Sequence, residues 1–140
     1  MKKNSDLLIN KINDEEMLQN ELELEELLNG KGGIIFQVTT AGGNLPIENA
    51  MIVISRQLNN DIYYVKKVYT DENGKTGIIL VDAPAADLSL TPGNSTPFYT
   101  YKADIEADGY KLITDKEIKV FEGIASIQPV IMQPVYYRGV

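Results

Sequence analysis

The chain has 140 residues, neither cysteine nor histidine, and a formal charge of −7. That length supports one domain, or one domain with a tail, around a core that needs no staples. The missing residue types exclude disulfides, thiolate or imidazole metal sites and Ser-His or Cys-His catalysis, and the negative charge argues against nucleic acid or an anionic membrane as partner.

The charge is uneven. Residues 1–30 hold eight carboxylates (Asp6, Asp14, Glu15, Glu16, Glu21, Glu23, Glu25 and Glu26) against three lysines, so the remaining chain is nearly neutral. No apolar run approaches the roughly 18 residues of a membrane span. Lys2-Lys3 precedes only Leu7-Leu8-Ile9, shorter than the ~7–15 residues of a signal-peptide core, so conventional secretion is not expected.

The first expected element is a helical stretch from Asp6 to Leu28. Asn13 and Glu16 have capping-box spacing, and Asp14, Glu15 and Glu16 suit the positive end of the helix dipole. Met17, Leu24, Leu27 and Leu28 fall on one apolar stripe, widened by Leu18 and Leu22. Asn29-Gly30 is a plausible stop. Glu25 and Glu26 oppose the dipole at the far end, so the helix needs a partner. It could dock on its own domain, pack on another copy or another protein, or remain unfolded.

Lys31-Gly32-Gly33 reads as a flexible hinge into the body. Ile34, Phe36 and Val38 then alternate with Ile35, Gln37 and Thr39, the period of a strand with one face inward. Ala41-Gly42-Gly43-Asn44 turns the chain. Pro46 cannot donate to a ladder and belongs at an edge or bulge. Strands are expected over 51–57 and 62–70, joined by a turn at 58–61, and Asp71-Glu72-Asn73-Gly74 is a turn with glycine in the left-handed position. Those acids lack the twelve-position ligand spacing of a calcium loop.

A fourth strand is expected over 76–81. Residues 82–97, stiffened by Pro84, Pro92 and Pro97, should then cross from one sheet to the other. Tyr99, Tyr101, Ala103, Ile105 and Ala107 share one side of a fifth strand, with Lys102, Asp104 and Glu106 on the wet side. Residues 110–113 and 118–121 form a strand pair or one bent strand, and 127–132 close the set, with Pro129 marking an edge or bulge. Seven short strands at this spacing predict an all-β, antiparallel Greek-key sandwich, transthyretin-like or immunoglobulin-like, over residues 31–134, flanked by the acidic extension 1–30 and an apolar tail 135–140.

No catalytic set emerges, and no enzyme activity, cofactor or metal site is expected. Asp104, Glu106 and Asp108 are close in sequence, but solvent-facing acids make a poor general acid. Gly30-Lys31-Gly32-Gly33 lacks the spacing of a phosphate loop. Eight tyrosines and no tryptophan leave aromatic contact as the main binding chemistry, either as a surface for sugar or protein or as caps on the core.

Leu45-Pro46-Ile47-Glu48-Asn49-Ala50-Met51-Ile52-Val53-Ile54, Thr70-Asp71-Glu72-Asn73-Gly74-Lys75-Thr76 and Asp108-Gly109-Tyr110 resemble the carboxypeptidase regulatory-like domains, which are transthyretin-like sandwiches and usually accessory modules. Asp82-Ala83-Pro84, Pro97-Phe98-Tyr99-Thr100-Tyr101, Val120-Phe121-Glu122-Gly123 and the segment from Ile127 through Pro134 are similar to the N-terminal, propeptide-containing region of clostridial spore-cortex-lytic enzymes. That resemblance implies a non-catalytic module of a spore-forming Firmicute. The turn pattern also resembles B-type repeats of Gram-positive adhesins and pilins, but the expected first strand, Ile34 to Thr39, lacks the lysine of their isopeptide crosslink.

Together these readings imply a structural or interaction subunit of a spore-surface or cell-envelope assembly, self-associating as a homo-oligomer or docking on other envelope or spore proteins. The expected contacts are Met17, Leu24, Leu27, Leu28, Tyr63, Tyr64, Tyr136 and Tyr137. The alternative is a carbohydrate- or peptidoglycan-binding accessory module.

Overall fold

A computed structural model describes residues 30–85 and 97–136. Eight strands follow in order: β1 (Lys31–Thr40), β2 (Leu45–Pro46), β3 (Met51–Leu58), β4 (Asp61–Tyr69), β5 (Ile79–Asp82), β6 (Tyr99–Glu106), β7 (Ile113–Val120) and β8 (Ala125–Ile131). They build a two-sheet, all-β sandwich. One sheet has the order β4-β3-β6-β7; the other is centred on β1, with β2 and β5 along one side and β8 along the other.

The inward alternation read from the sequence is what the sandwich buries. Ile34, Phe36 and Val38 of β1 face Ile52 and Ile54 of β3 and Ala103 and Ile105 of β6, all fully buried. Ile118, Val120, Val130 and Met132 complete the layer. Each large side chain so buried contributes about 1.5–3 kcal/mol over its exposed state. The outward positions Asp104 and Glu106 are exposed, as expected.

Both sheets are antiparallel except at one place: β8 runs parallel to β1 over seven pairs, from Gly33 opposite Ala125 to Thr39 opposite Ile131. Pro129 lies on β8, whose other side is unpaired among the described residues, so its missing N–H costs no ladder bond. Pro46 sits in β2, a two-residue edge strand beyond the seven expected. The β5–β6 connection passes from one sheet to the other, as its length suggested; residues 86–96 of it lie outside the described chain.

Two expectations need correction. Lys31-Gly32-Gly33 is the start of β1, not a hinge. A Cβ on Gly32 would meet Val120 Cγ1 at 2.3 Å and the Phe121 carbonyl oxygen at 2.6 Å, and one on Gly33 would meet Ile78 Cδ1 at 2.8 Å. These glycines are there for close packing. The fourth strand begins at Ile79 rather than Thr76: at Thr76 the chain already meets β1, but there the side-chain Oγ, in place of a ladder carbonyl, accepts the Phe36 N–H at 3.0 Å. Residues 113–120 form one bent strand, one of the two forms expected there. Its register shifts opposite β6 between Ala103 and Ile105, Asp115 adopts φ 56°, and the Asp115 N–H donates to Asp104 Oδ1 at 2.9 Å.

Candidate interaction surface

The turn after β4 holds one end of the sandwich. Gly74 has φ 74°, the left-handed conformation expected of it. Asp71 Oδ1 accepts the N–H groups of Asn73 and Lys75 at 2.8 and 3.0 Å, so this carboxylate is used by the turn's own backbone. Thr70 is 3% exposed; its hydroxyl accepts the Ala50 N–H at 2.9 Å and donates to the Ile47 carbonyl at 2.6 Å. Glu106 and Asp108 border an open recess of about 580 Å³ with Glu48 and Tyr110. Among the described residues no three acids converge as metal ligands would.

The aromatic surface lies on β4. This strand forms the edge of its sheet, and eight of its nine residues are exposed. Ile62 is 63% exposed, Tyr63 51%, Tyr64 81% and Tyr69 54%. The sequence expects Tyr63 and Tyr64 to act together, but neighbours on a strand point to opposite faces. Tyr64 pairs with Ser55 and Tyr69 with Met51, on the outer face. Tyr63 pairs with Arg56, on the side of β3 that Ile52 and Ile54 turn inward. Val65 is skipped in the β3–β4 register, a bulge that with Lys66 and Lys67 blunts the edge against pairing with another strand.

Arg56 is the feature that sequence reading missed. It continues the inward parity of Ile52 and Ile54 but stands where the two sheets part. Its guanidinium lies 3.6 Å from the centroid of the Tyr99 ring and 5.7 Å from that of Tyr101. Arg56, Lys31, Leu58, Tyr63, Val65 and Leu80 line an open cleft of about 370 Å³, with Val81, Asp82 and Tyr101. Lys31 Nζ meets Asp82 Oδ1 at 2.7 Å, and that hydrogen bond and charge hold the Asp82 carboxyl below its ordinary range. The buried Tyr101 hydroxyl donates to the Asp82 carbonyl at 2.6 Å, and its burial pushes its pKa up. With Lys31 so matched, Arg56 has no carboxylate within ion-pair distance among the described residues, and the described lining of the cleft (Lys31, Arg56 and Asp82) sums to one positive charge. The basic residue at an inward-parity position was the available signal.

Tyr136 is 84% exposed, but it lies near the β6–β7 connection, where the Val135 N–H donates to the Gly109 carbonyl and Tyr110 bridges to Pro134. β3 and β6 separate it from β4, so the structure does not join it to Tyr63 and Tyr64. Met17, Leu24, Leu27, Leu28 and Tyr137 lie outside the described residues.

No protein-family model and no curated protein sequence matches the chain. Solved structures do match its fold. The minor pilin GBS52 of Streptococcus agalactiae superposes with a TM-score of 0.52 at 13% identity, over 79% of this chain and 48% of the pilin. The 3-chlorocatechol 1,2-dioxygenase of Rhodococcus opacus 1CP gives 0.51 at 12% identity, over 75% of this chain and 60% of the enzyme. Transthyretin from Sparus aurata gives 0.49 at 11% identity, covering 72% of this chain and 88% of transthyretin. The chain therefore spans about half to three-fifths of the pilin and the dioxygenase. At such identities the likeness concerns the fold alone, a two-sheet β-sandwich shared with the pilin and the dioxygenase.

Proposed function

We propose that the protein is a non-catalytic structural subunit of a cell-envelope or spore-surface assembly, self-associating through the segments that flank its sandwich. The observation that carries this reading is the contrast between body and surface. The polar groups of the body are spent on its own turns, as at Asp71 and Thr70, while apolar and aromatic side chains stand uncovered on β4 and β8. Ile127 at 63% and Ile131 at 49% exposure extend this surface to the second sheet. A leucine-striped acidic extension and an apolar tail are suited to covering such surfaces in a neighbouring copy. A pilin among proteins of the same fold agrees with a structural role.

The test is the solution mass of the full chain against a chain lacking residues 1–29. Loss of an oligomer supports the reading, and an unchanged oligomer counts against it.

A second reading rests on Tyr64 and Tyr69, which share the outer face of β4 as a sugar-stacking platform would. Retention on purified cortex or cell-wall glycan, lost in Tyr64→Ser, would favour it.

A further inference from the structure

The cleft at Arg56 has the makings of a receptor. Its walls are apolar, with Leu58 41%, Tyr63 51% and Val65 42% exposed. Its cation is pre-positioned, because the guanidinium stacks on Tyr99 and hydrogen-bonds the Tyr101 side chain, and with five N–H donors it keeps others for an anion. Arginine and tyrosine in a recess are the residues that most often dominate a protein contact. At about 370 Å³ the cleft admits one or two side chains, not a whole helix. Its occupant must therefore present a carboxylate beside a branched apolar group.

Such a pattern exists within this chain. Residues 21–28 read Glu-Leu-Glu-Leu-Glu-Glu-Leu-Leu and belong to the segment that carries most of the molecule's negative charge. At helical spacing Glu21 and Glu25 lie four apart, on the flank of the stripe formed by Leu24, Leu27 and Leu28.

We infer that the cleft between β3, β4 and β5 receives the acidic leucine segment, residues 21–28, of a second copy: leucine enters the apolar wall and glutamate pairs with Arg56. This inference rests on the self-association proposed above and supplies its receiving surface. The carboxylate completes the charge balance that Asp82 leaves unfinished, since Asp82 already neutralises Lys31. The contact is head-to-tail, because the donor segment and the cleft are different surfaces. It therefore builds rings or open filaments unless two chains exchange segments reciprocally.

The test uses the full chain. Sedimentation gives the association constant of the natural protein, Arg56→Gln, Arg56→Lys and Glu21→Gln/Glu25→Gln, with thermal melts to establish that each variant is folded. Arg56→Gln and the double glutamine variant should each weaken association at least about tenfold, and Arg56→Lys should retain part of it. The chain has no cysteine, so Leu24→Cys with Leu58→Cys reports the contact directly. Mild oxidation should give covalently linked chains. An intrachain disulfide in a monomer would show the segment covering its own cleft and overturn the inference. If Arg56→Gln associates normally while removal of residues 1–29 gives a monomer, the cleft is the wrong receptor and self-association through the extension stands. If removal of residues 1–29 also changes nothing, both readings fall.

Discussion

Replacing Thr70 with valine removes a hydroxyl while keeping the shape of the side chain. In the native protein that hydroxyl joins two backbone groups of the 47–50 segment, accepting from Ala50 and donating to Ile47 at 2.9 and 2.6 Å. Both groups lie where water does not reach, since Ile47 is 6%, Ala50 0% and Thr70 3% exposed. Each orphaned buried group costs about 1–3 kcal/mol, partly offset by burial of the new methyl, so Thr70→Val should lose about 2–4 kcal/mol. For a domain of this size that corresponds to a fall in Tm of roughly 10 °C. Thr70→Ser, which keeps both hydrogen bonds, should lose about 1 kcal/mol from the missing methyl. Urea unfolding of the three proteins, compared at constant m-value, is the assay. A loss below about 0.5 kcal/mol for Thr70→Val, or equal losses for valine and serine, would refute the reasoning: the segment would then be held by its backbone bonds to Thr70 alone.

Three further outcomes follow from the same structure. Gly32→Ala should cost about 3 kcal/mol or more, because the Phe121 carbonyl 2.6 Å from the new Cβ belongs to backbone that cannot step aside, whereas Gly42→Ala, in open space at φ 68°, should cost only about 1 kcal/mol; thermal melts separate them. Tyr101→Phe should lose about 1 kcal/mol at pH 8. It should also flatten the alkaline limb of stability, because a hydroxyl whose pKa is raised by folding stabilises fully below the ordinary tyrosine value near 10 and loses that contribution as pH climbs through the folded value. Urea titrations at pH 8 and 11 read both effects. Asp82→Asn should change stability by less than about 0.5 kcal/mol at neutral pH, because the pair with Lys31 is 70% exposed at the aspartate; the lowered carboxyl makes even that contribution fade as pH falls through and below the ordinary aspartate value near 3.9, which denaturant melts at pH 7 and 3 would show.

The strands that bury one face were legible because alternation is local. Ile34-Phe36-Val38 and Tyr101-Ala103-Ile105 each announce their own inward side. The turn at Asp71–Gly74 was legible for a like reason, since aspartate and glycine act within four residues. What local pattern cannot carry is partnership across the chain. The parallel match of β1 with β8 joins residues 92 apart, and nothing in either strand names the other. Gly32 and Gly33 looked like a hinge because glycine in sequence signals freedom, and only the nearness of Val120 and Ile78 shows that bare backbone was required. The candidate site was half legible. The tyrosines of β4 were visible by type, but strand parity separates Tyr63 from Tyr64 and assigns Tyr63 to Arg56. Arg56 itself drew no notice because a single arginine in an apolar strand has no spacing to read.

The union of first and last strands also decides how the body answers a pull. β1 enters at Lys31 and β8 leaves at Ile131, and because the two run in the same direction those points lie at opposite ends of their shared ladder. Tension applied through the flanking segments slides one strand lengthwise along the other. The rungs are loaded together rather than peeled open in succession, and yielding requires them to break nearly at once. A sandwich wired in this way bears tension along its own chain as a rivet in shear does.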